Sequence, residues 1–546
     1  MRWAQAEAIV MDYLPAVASG FLLTLAFPKA DCPWLAWVAL VPLLVLCAGS
    51  RGKKPVQGRK AFNTGLAFGM AHFLTLLYWI VNTVAVYGGL PWVAALSVLV
   101  LLCFYLSLFP GLFLLVLTRF PMDSPVMPLR AAGLWVGLEY LRSSLFTGFP
   151  WGLVGYSQSM NTALIQVADV GGVYAVSFLL VYSNAAVSGI WCMAAGSQKK
   201  WTGMVLKKQL FLLVSLLSIL GSAWGYGKTS LAGVDRTIAR SGTKRVTVVQ
   251  GNVSQDRKWD KAFKEATVNT YCDLSRKAAS KGEKKPDLIV WPETALPFYY
   301  GWDKTFSSMV DACIKEVNTA FILGSPAFEP RQEGNWFYNR AFLVNRAGGV
   351  TGTYDKIHLV PFGEYVPLGR YLSFLGKITA QAGNFTPGSR DAAPLVFKDA
   401  RAGMLICFEI IFPSLARSVV GNGADFLVTI TNDAWFGFTS APYQHFSMAV
   451  FRAVENRRTV VRAANTGISG FIDPAGRVGK TTGLGEKRVL TGTIATMNQA
   501  AFYTIAGDLF AFFCMGGVVM EQLLVFRSVG FSLRRKVHGA AGQRRL

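Results

Sequence analysis

The sequence predicts two architectures in one chain: a multi-span α-helical membrane domain of about eight transmembrane helices, and an α/β layered domain inserted before the last of them. Three observations carry this. Several apolar runs approach the roughly 20 residues that a bilayer crossing needs, in a chain that is 52% hydrophobic with a mean hydropathy of +0.36. Of 31 acidic residues only eight lie outside 227–499, which marks that stretch as the water-facing part. The same stretch alternates β-type and α-type patterns, as a layered α/β domain does.

The apolar runs fall at about 13–28, 34–49, 61–87, 90–118, 130–147, 162–195, 209–227 and 500–526. The first two are short, so a re-entrant hairpin is an alternative to two full crossings; a pair that crosses together or not at all leaves the later parity unchanged. A cleaved signal peptide is the rival reading of the first run, and Glu7 and Asp12 in place of a basic leader argue against it. Basic residues cluster in every second connection: Arg51, Lys53, Lys54, Arg59 and Lys60; Arg119 and Arg130; Lys199, Lys200, Lys207 and Lys208; then Arg527, Arg534, Arg535, Lys536, Arg544 and Arg545. The intervening loops at 87–90 and 148–151 carry no charge. The positive-inside rule makes the basic set cytoplasmic, so the inserted domain faces the other side, the periplasm in a bacterium. The expected organisation is therefore 1–227 membrane helices, 228–499 periplasmic domain, 500–527 last helix and 528–546 basic cytoplasmic tail. These topology-setting clusters account for much of the net charge of +23, so nucleic acid is not the expected partner.

Inside the fifth run, Glu139 and Arg142 share a helical face and are expected to neutralise each other, with a lipid-headgroup site as the alternative. Asp169 and Glu521 are open in the same way. In the outer domain, strands are expected at 245–250, 287–291, 320–324, 341–345, 402–408, 425–431, 460–464 and 489–494, and helices at about 259–281, 303–318 and 442–458.

Three reactive residues end β-type segments there. Glu293 follows Asp287–Trp291, Lys356 follows a β-rich stretch ending in Tyr354-Asp355, and Cys407 closes the run Ala402–Ile406. Strand C-termini are where sites form in α/β folds. A thiol becomes a nucleophile when a base takes its proton or a cation lowers its pKa, and acyl transfer needs positive charge for the developing oxyanion. Glu293 suits the base, Lys356 the cation and Cys407 the nucleophile. A Cys-His pair using His358 or His445 is the competing arrangement. The remaining cysteines read as packing residues, although Cys272 and Cys313, both on predicted helices, are a candidate pair in an oxidising compartment. No Cys-x-x-Cys or clustered His/Cys spacing occurs, so no metal site is expected.

The segments Trp291-Pro292-Glu293, Tyr354-Asp355-Lys356, His358 to Pro367, Cys407-Phe408-Glu409 and Asn432 to Gly437 resemble the carbon-nitrogen hydrolase (nitrilase) superfamily. With multiple spans before and one after, nearly the whole chain resembles the apolipoprotein N-acyltransferase family of the bacterial inner membrane. The resemblance implies a nitrilase-like αββα sandwich and a Glu-Lys-Cys triad at Glu293, Lys356 and Cys407, supported by Glu364 and flanked by Glu409. It implies acyl transfer from a phospholipid, typically phosphatidylethanolamine, through a Cys thioester to the α-amine of a diacylglyceryl-cysteine on an apolipoprotein. It implies no cofactor. Phe408 departs from the tyrosine that family members often carry after the cysteine, and leaves an aromatic wall without a hydroxyl.

Trp259, Asn339 and Trp435 match substrate-lining positions of the family; packing is the competing role for each. The aromatic stretches 297–302 and 365–378 are expected either to reach the outer leaflet or to fold into the core. A membrane-anchored amidase, with water as acceptor, and a transporter with a degenerate domain are the alternatives of other classes. Nothing calls for an obligate protein partner, so a monomer is expected.

Overall fold

The computed structural model describes residues 2–49, 55–196, 203–255, 261–280, 284–332, 334–365 and 385–522. By length and composition three of its helices qualify to cross a membrane, Trp92–Leu117, Leu164–Ala195 and Gly203–Arg240; the pair Gly58–Leu76 and Trp79–Tyr87, bent by 52°, makes a fourth if it is one span. Met11–Leu25, Pro33–Ala48 and Leu509–Gln522 are shorter apolar helices. Against eight expected crossings, the difference lies in backbone breaks and charge. The second run opens as a 3-10 turn, Pro33–Trp37, before the helix Val41–Ala48. The helix Met127–Ser144 carries Arg130, Glu139 and Arg142, and the last run is divided after Phe502–Ala506 by Gly507 at φ 60°.

Glu139 and Arg142 bind different groups instead of closing on each other. Glu139 Oε1 accepts from the Trp135 indole at 3.0 Å and from Val154 N at 2.8 Å. Arg142 donates to the carbonyls of Trp151 at 2.7 Å and Phe149 at 3.3 Å. Four backbone groups of this loop, the carbonyls of Phe149, Trp151 and Gly152 and the amide of Val154, take these two side chains, and satisfying buried backbone outweighs a direct pair. Glu521 pairs with Arg130, whose Nε donates at 2.6 Å. Asp169 pairs with Arg457 of the outer domain and accepts from Tyr226 Oη at 2.7 Å.

The helix from Gly203 continues past residue 227 to Arg240 and passes through Ser241 directly into the first strand. Twelve strands follow: β1 (Gly242–Gln250), β2 (Leu288–Val290), β3 (Ala320–Arg331), β4 (Gly334–Val344), β5 (Val350–Asp355), β6 (Leu395–Phe397), β7 (Ala400–Ile406), β8 (Phe426–Thr431), β9 (Val460–Ala464), β10 (Gly470–Ile472), β11 (Val478–Thr481) and β12 (Arg488–Thr496). They form two six-stranded sheets, ordered β12-β1-β2-β3-β4-β5 and β11-β10-β9-β8-β7-β6. In each sheet three parallel strands, β1-β2-β3 or β7-β8-β9, are flanked by antiparallel ones.

Side-chain alternation with a period of two explains the layering. Val246, Val248, Leu288, Val290, Met404, Ile406, Val428 and Ile430 meet between the sheets. The residues between them face outward: Val249 and Ile289 pack under the helices Lys261–Ser280 and Lys304–Val317, while Leu405 and Leu427 join the helices Pro413–Gly421 and Ala441–Asn456. The result is an αββα sandwich. Its second helical layer shares one continuous core with the N-terminal helical bundle, because Ile411, Phe412, Met448 and Val450 pack into the same cluster as Leu23, Phe68 and Leu76.

The expected strands are all present, with β3 and β4 extending as a hairpin well past residue 324. Strands β6, β10 and β11 and the helix Pro413–Gly421 were not anticipated. β11, Val-Gly-Lys-Thr at a sheet edge, has no apolar alternation to read.

Candidate active site

The sheet ends bring the three reactive segments together. Glu293 lies three residues beyond β2, Lys356 one beyond β5 and Cys407 one beyond β7. All are buried: Glu293 is 5% exposed, Lys356 1% and Cys407 8%. Lys356 Nζ lies 3.0 Å from Glu364 and 3.5 Å from Glu293 Oε1. Asn339, on β4, bridges the two carboxylates, donating from Nδ2 at 2.7 Å to Glu293 Oε1 and 3.0 Å to Glu364 Oε1. Glu293 Oε2 accepts from Asn432 N at 2.9 Å.

The electrostatics follow from burial and proximity. Burial works against the Lys356 ammonium, but the charges of Glu364 and Glu293 outweigh it and hold the group above the ordinary lysine range. Burial pushes the Cys407 thiol up, the Glu293 charge adds to this, and the opposing charge of Lys356 does not cancel them. The resting group is thus a thiol, and attack requires a base. Cys407 also holds φ 55°, a left-handed conformation that costs a non-glycine residue about 1–2 kcal/mol and needs support from its surroundings.

Part of that support is Glu409, which is completely buried. Its Oε2 accepts from Ile406 N at 2.6 Å and Tyr354 Oη at 3.0 Å. Its Oε1 accepts from Ile357 N at 2.6 Å and His358 N at 3.0 Å. One carboxylate therefore ties the strand end before the thiol to the segment that carries Lys356. Burial pushes it up to about 7, with the Ile406, His358 and Ile357 amides pulling the other way.

Residues 19–186 match the Apolipoprotein N-acyltransferase N-terminal domain and residues 245–501 match Carbon-nitrogen hydrolase. The apolipoprotein N-acyltransferase of Geobacter metallireducens is 42% identical over 96% of this chain and 96% of its own length. The chain belongs to the apolipoprotein N-acyltransferase family. The Pasteurella multocida relative is 30% identical over 97% of each chain. Among solved structures, the carbon-nitrogen hydrolase from Helicobacter pylori G27 shares 17% identity with a TM-score of 0.36, covering 46% of this chain and 89% of that one.

As a member of the apolipoprotein N-acyltransferase family the protein is an acyltransferase, and the remaining residues sort around that chemistry. Phe408 is half-buried and packs against Phe412 at 5.3 Å and His358 at 6.0 Å. Trp435 meets Tyr87 of the membrane bundle edge-on at 5.3 Å, and its carbonyl accepts from Thr83 Oγ1 at 2.9 Å. Asn339 sits at the centre of the charged cluster. Trp259 lies outside the described residues, as do residues 366–384. In the loop 297–302, Phe298 and Tyr300 are core residues, whereas Trp302 is 55% exposed and stacks on Phe328. Cys272 and Cys313 are free, buried and in hydrogen-bond contact.

Neither histidine forms the competing Cys-His pair. His358 stacks on Phe412 at 3.9 Å, and His445 Nε2 faces the Cys407 carbonyl at 3.2 Å. Sequence reasoning named His445 only as a partner for the thiol itself, and missed the cluster of Thr431, Asp433 and Arg462 that surrounds this contact. Asp433 lay within the Asn432 to Gly437 motif, which was the one local signal for it. Among the described residues no group of His, Cys, Asp or Glu is placed to hold a metal ion.

Proposed function

We propose that this acyltransferase works by two displacements at Cys407, with Glu293 as proton shuttle and Lys356 as the charge that stabilises each oxyanion. The observation that carries the reading is that Glu293, Lys356 and Cys407 are all buried at the ends of β2, β5 and β7, with Lys356 Nζ 3.5 Å from Glu293 Oε1. Glu293 takes the thiol proton as sulfur attacks the ester carbonyl of a phospholipid, typically phosphatidylethanolamine-like. The tetrahedral oxyanion forms within the field of Lys356. Collapse breaks the C–O bond, Glu293 returns the proton to the departing alkoxide, and lysophospholipid leaves a thioester on Cys407.

The α-amine of a diacylglyceryl-cysteine on an apolipoprotein then attacks the thioester and transfers its proton through Glu293. Collapse breaks the C–S bond, forms the amide and restores the thiol. Glu364 and Asn339 hold Lys356 and Glu293 in register; Glu409 fixes the strand ends; Phe408 and Trp435 form the lipid-binding wall, and a substrate-binding role for Trp259 rests on the family motif alone. No cofactor enters this scheme.

The same reading sets the protein in the bacterial inner membrane with eight crossings and the catalytic domain, about 228–499, in the periplasm. It is supported by the alternating basic loops and by the apolar helices on both sides of the sandwich. The short and broken helices pair naturally with their neighbours: the shared core lets an interrupted helix cross while its freed backbone groups bind protein. Incubation with phosphatidylethanolamine and a diacylated lipopeptide tests the whole proposal. N-acylated lipopeptide is expected, with a transient acyl adduct on Cys407. Free fatty acid alone would favour an amidase-type hydrolase, and an adduct on another residue would overturn the assignment.

A further inference from the structure

A second polar cluster, unused in the proton transfers above, meets the nucleophile through its backbone. His445, Arg462 and Asp433 are at most 1% exposed. The Cys407 carbonyl can only accept, so the 3.2 Å contact with His445 Nε2 puts the ring hydrogen on that nitrogen. On the other side, Nδ1 lies 3.0 Å from Arg462 Nη2 and 3.1 Å from Asp433 Oδ1. A neutral ring resolves these contacts. Nδ1 accepts from the guanidinium, Asp433 Oδ2 accepts from the same nitrogen at 2.8 Å, and Asp433 Oδ1 takes the Thr431 hydroxyl at 2.9 Å. Burial and the Arg462 charge both hold the imidazole below the ordinary histidine range, against the pull of Asp433, in keeping with that tautomer.

The ring faces are fixed as well. Trp151 stacks on His445 at 5.7 Å with an interplanar angle of 21°, and Phe436 meets it edge-on at 6.0 Å. Trp151 comes from the membrane bundle, where its carbonyl accepts from Arg142 at 2.7 Å and its indole donates to Gln444 at 2.7 Å. A chain of fixed contacts therefore runs from an intramembrane arginine to the main chain of the nucleophile.

We infer that His445 is a positioning residue for acyl transfer: its Nε2–H bond to the Cys407 carbonyl fixes the left-handed backbone there and so aims the sulfur. The inference rests on Cys407 being the nucleophile proposed above. It uses no proton transfer by the ring, and it makes Trp151 the point at which the membrane bundle supports the active site.

The test measures acyl-enzyme formation by intact-protein mass spectrometry, using the full chain and phosphatidylethanolamine, for His445→Phe, His445→Asn and His445→Gln. A glutamine amide nitrogen reaches the place of Nε2; asparagine falls short, and phenylalanine keeps the ring without the donor. Phe and Asn are expected to slow acylation by about 10²-fold with half-saturating lipid changed by less than about 3-fold, and Gln to recover about 10-fold of the loss. Wild-type rates in folded His445→Phe would overturn the inference. So would Gln acylating no faster than Asn, a comparison that decides the matter should the Phe variant fail to fold. If wild type forms its adduct away from Cys407, the nucleophile assignment has failed; if the adduct is on Cys407 and the variants match wild type, the His445 inference alone has failed.

Discussion

Glu139 with Arg142 in the N-terminal helical bundle and Glu293 with Lys356 in the candidate active site are both buried acid–base couples, none more than 5% exposed, yet they are satisfied in different ways. Arg142 spends its donors on the carbonyls of Phe149, Trp151 and Gly152, and Glu139 accepts from a backbone amide and an indole. Lys356 instead faces two carboxylates, and Glu293, apart from one backbone amide at Asn432, shares the side chain of Asn339 with Glu364. Backbone partners cannot leave, so the first couple holds a loop in place. Side-chain partners can exchange protons or reorient, so the second couple can follow a reaction. The two couples differ by what surrounds them, not by how deeply they are buried.

The sharpest way to break this contrast is at the sulfur. Cys407→Ala and Cys407→Ser are expected to abolish the acyl adduct and product in folded protein, since no other residue of the cluster supplies a comparable nucleophile. The next largest effects belong to the partners. Glu293→Gln and Lys356→Met are expected to lower acylation by about 10²–10⁴-fold without comparable loss of lipid binding; wild-type turnover in either would remove that residue from the mechanism. Because burial and Glu293 push the Cys407 thiol up, the thiolate fraction should grow with pH. Alkylation of Cys407 by iodoacetamide should accelerate steadily from pH 7 to 9, whereas a profile flat across that range would reveal a preformed thiolate beside Lys356.

The convergence of Glu293, Lys356 and Cys407 was legible because each lies within three residues of the end of a β-type run, and local pattern alone marks those places. The sandwich was legible for a similar reason: β2, β7, β8 and β9 are nearly unbroken apolar strands. The joining of His445 to Asp433 and Arg462 was not, since a helix, a loop and a strand contribute one residue each and only the folded topology brings them together. Hydropathy also reports how apolar a run is, and is silent on where its backbone breaks. Gly172 at φ 64° interrupts the helix 168–196, and a 52° bend divides 58–76 from 79–87. The helix from Gly203 outran its expected end for the converse reason, since residues 228–240 turn polar while remaining helical.

Intermediate effects test the scaffold side of the contrast. Arg142→Leu leaves the Trp151 and Phe149 carbonyls without a donor and Glu139 without a nearby positive charge. Each buried polar group left unsatisfied costs roughly 1–3 kcal/mol, so the variant should unfold at a markedly lower temperature. Because Trp151 stacks on His445, whatever protein remains folded should also acylate more slowly. Equal stability with slower acylation would instead make Arg142 a participant in the reaction and erase the distinction between the two couples.

The smallest effect probes a group that stands between the two regimes. Glu409 is buried like Glu293, but three of its four donors are backbone amides; the fourth is Tyr354 Oη, at 3.0 Å. Tyr354→Phe removes that one donor and leaves the ring in the core. A single hydrogen bond to a charged acceptor contributes about 1.5–3 kcal/mol, and the remaining three amides continue to fix the carboxylate. The variant should therefore lose stability within that range and keep acylation near wild type. A large fall in acylation at unchanged stability would mean that Glu409 depends on its one removable partner, and would move it from the scaffold to the chemistry.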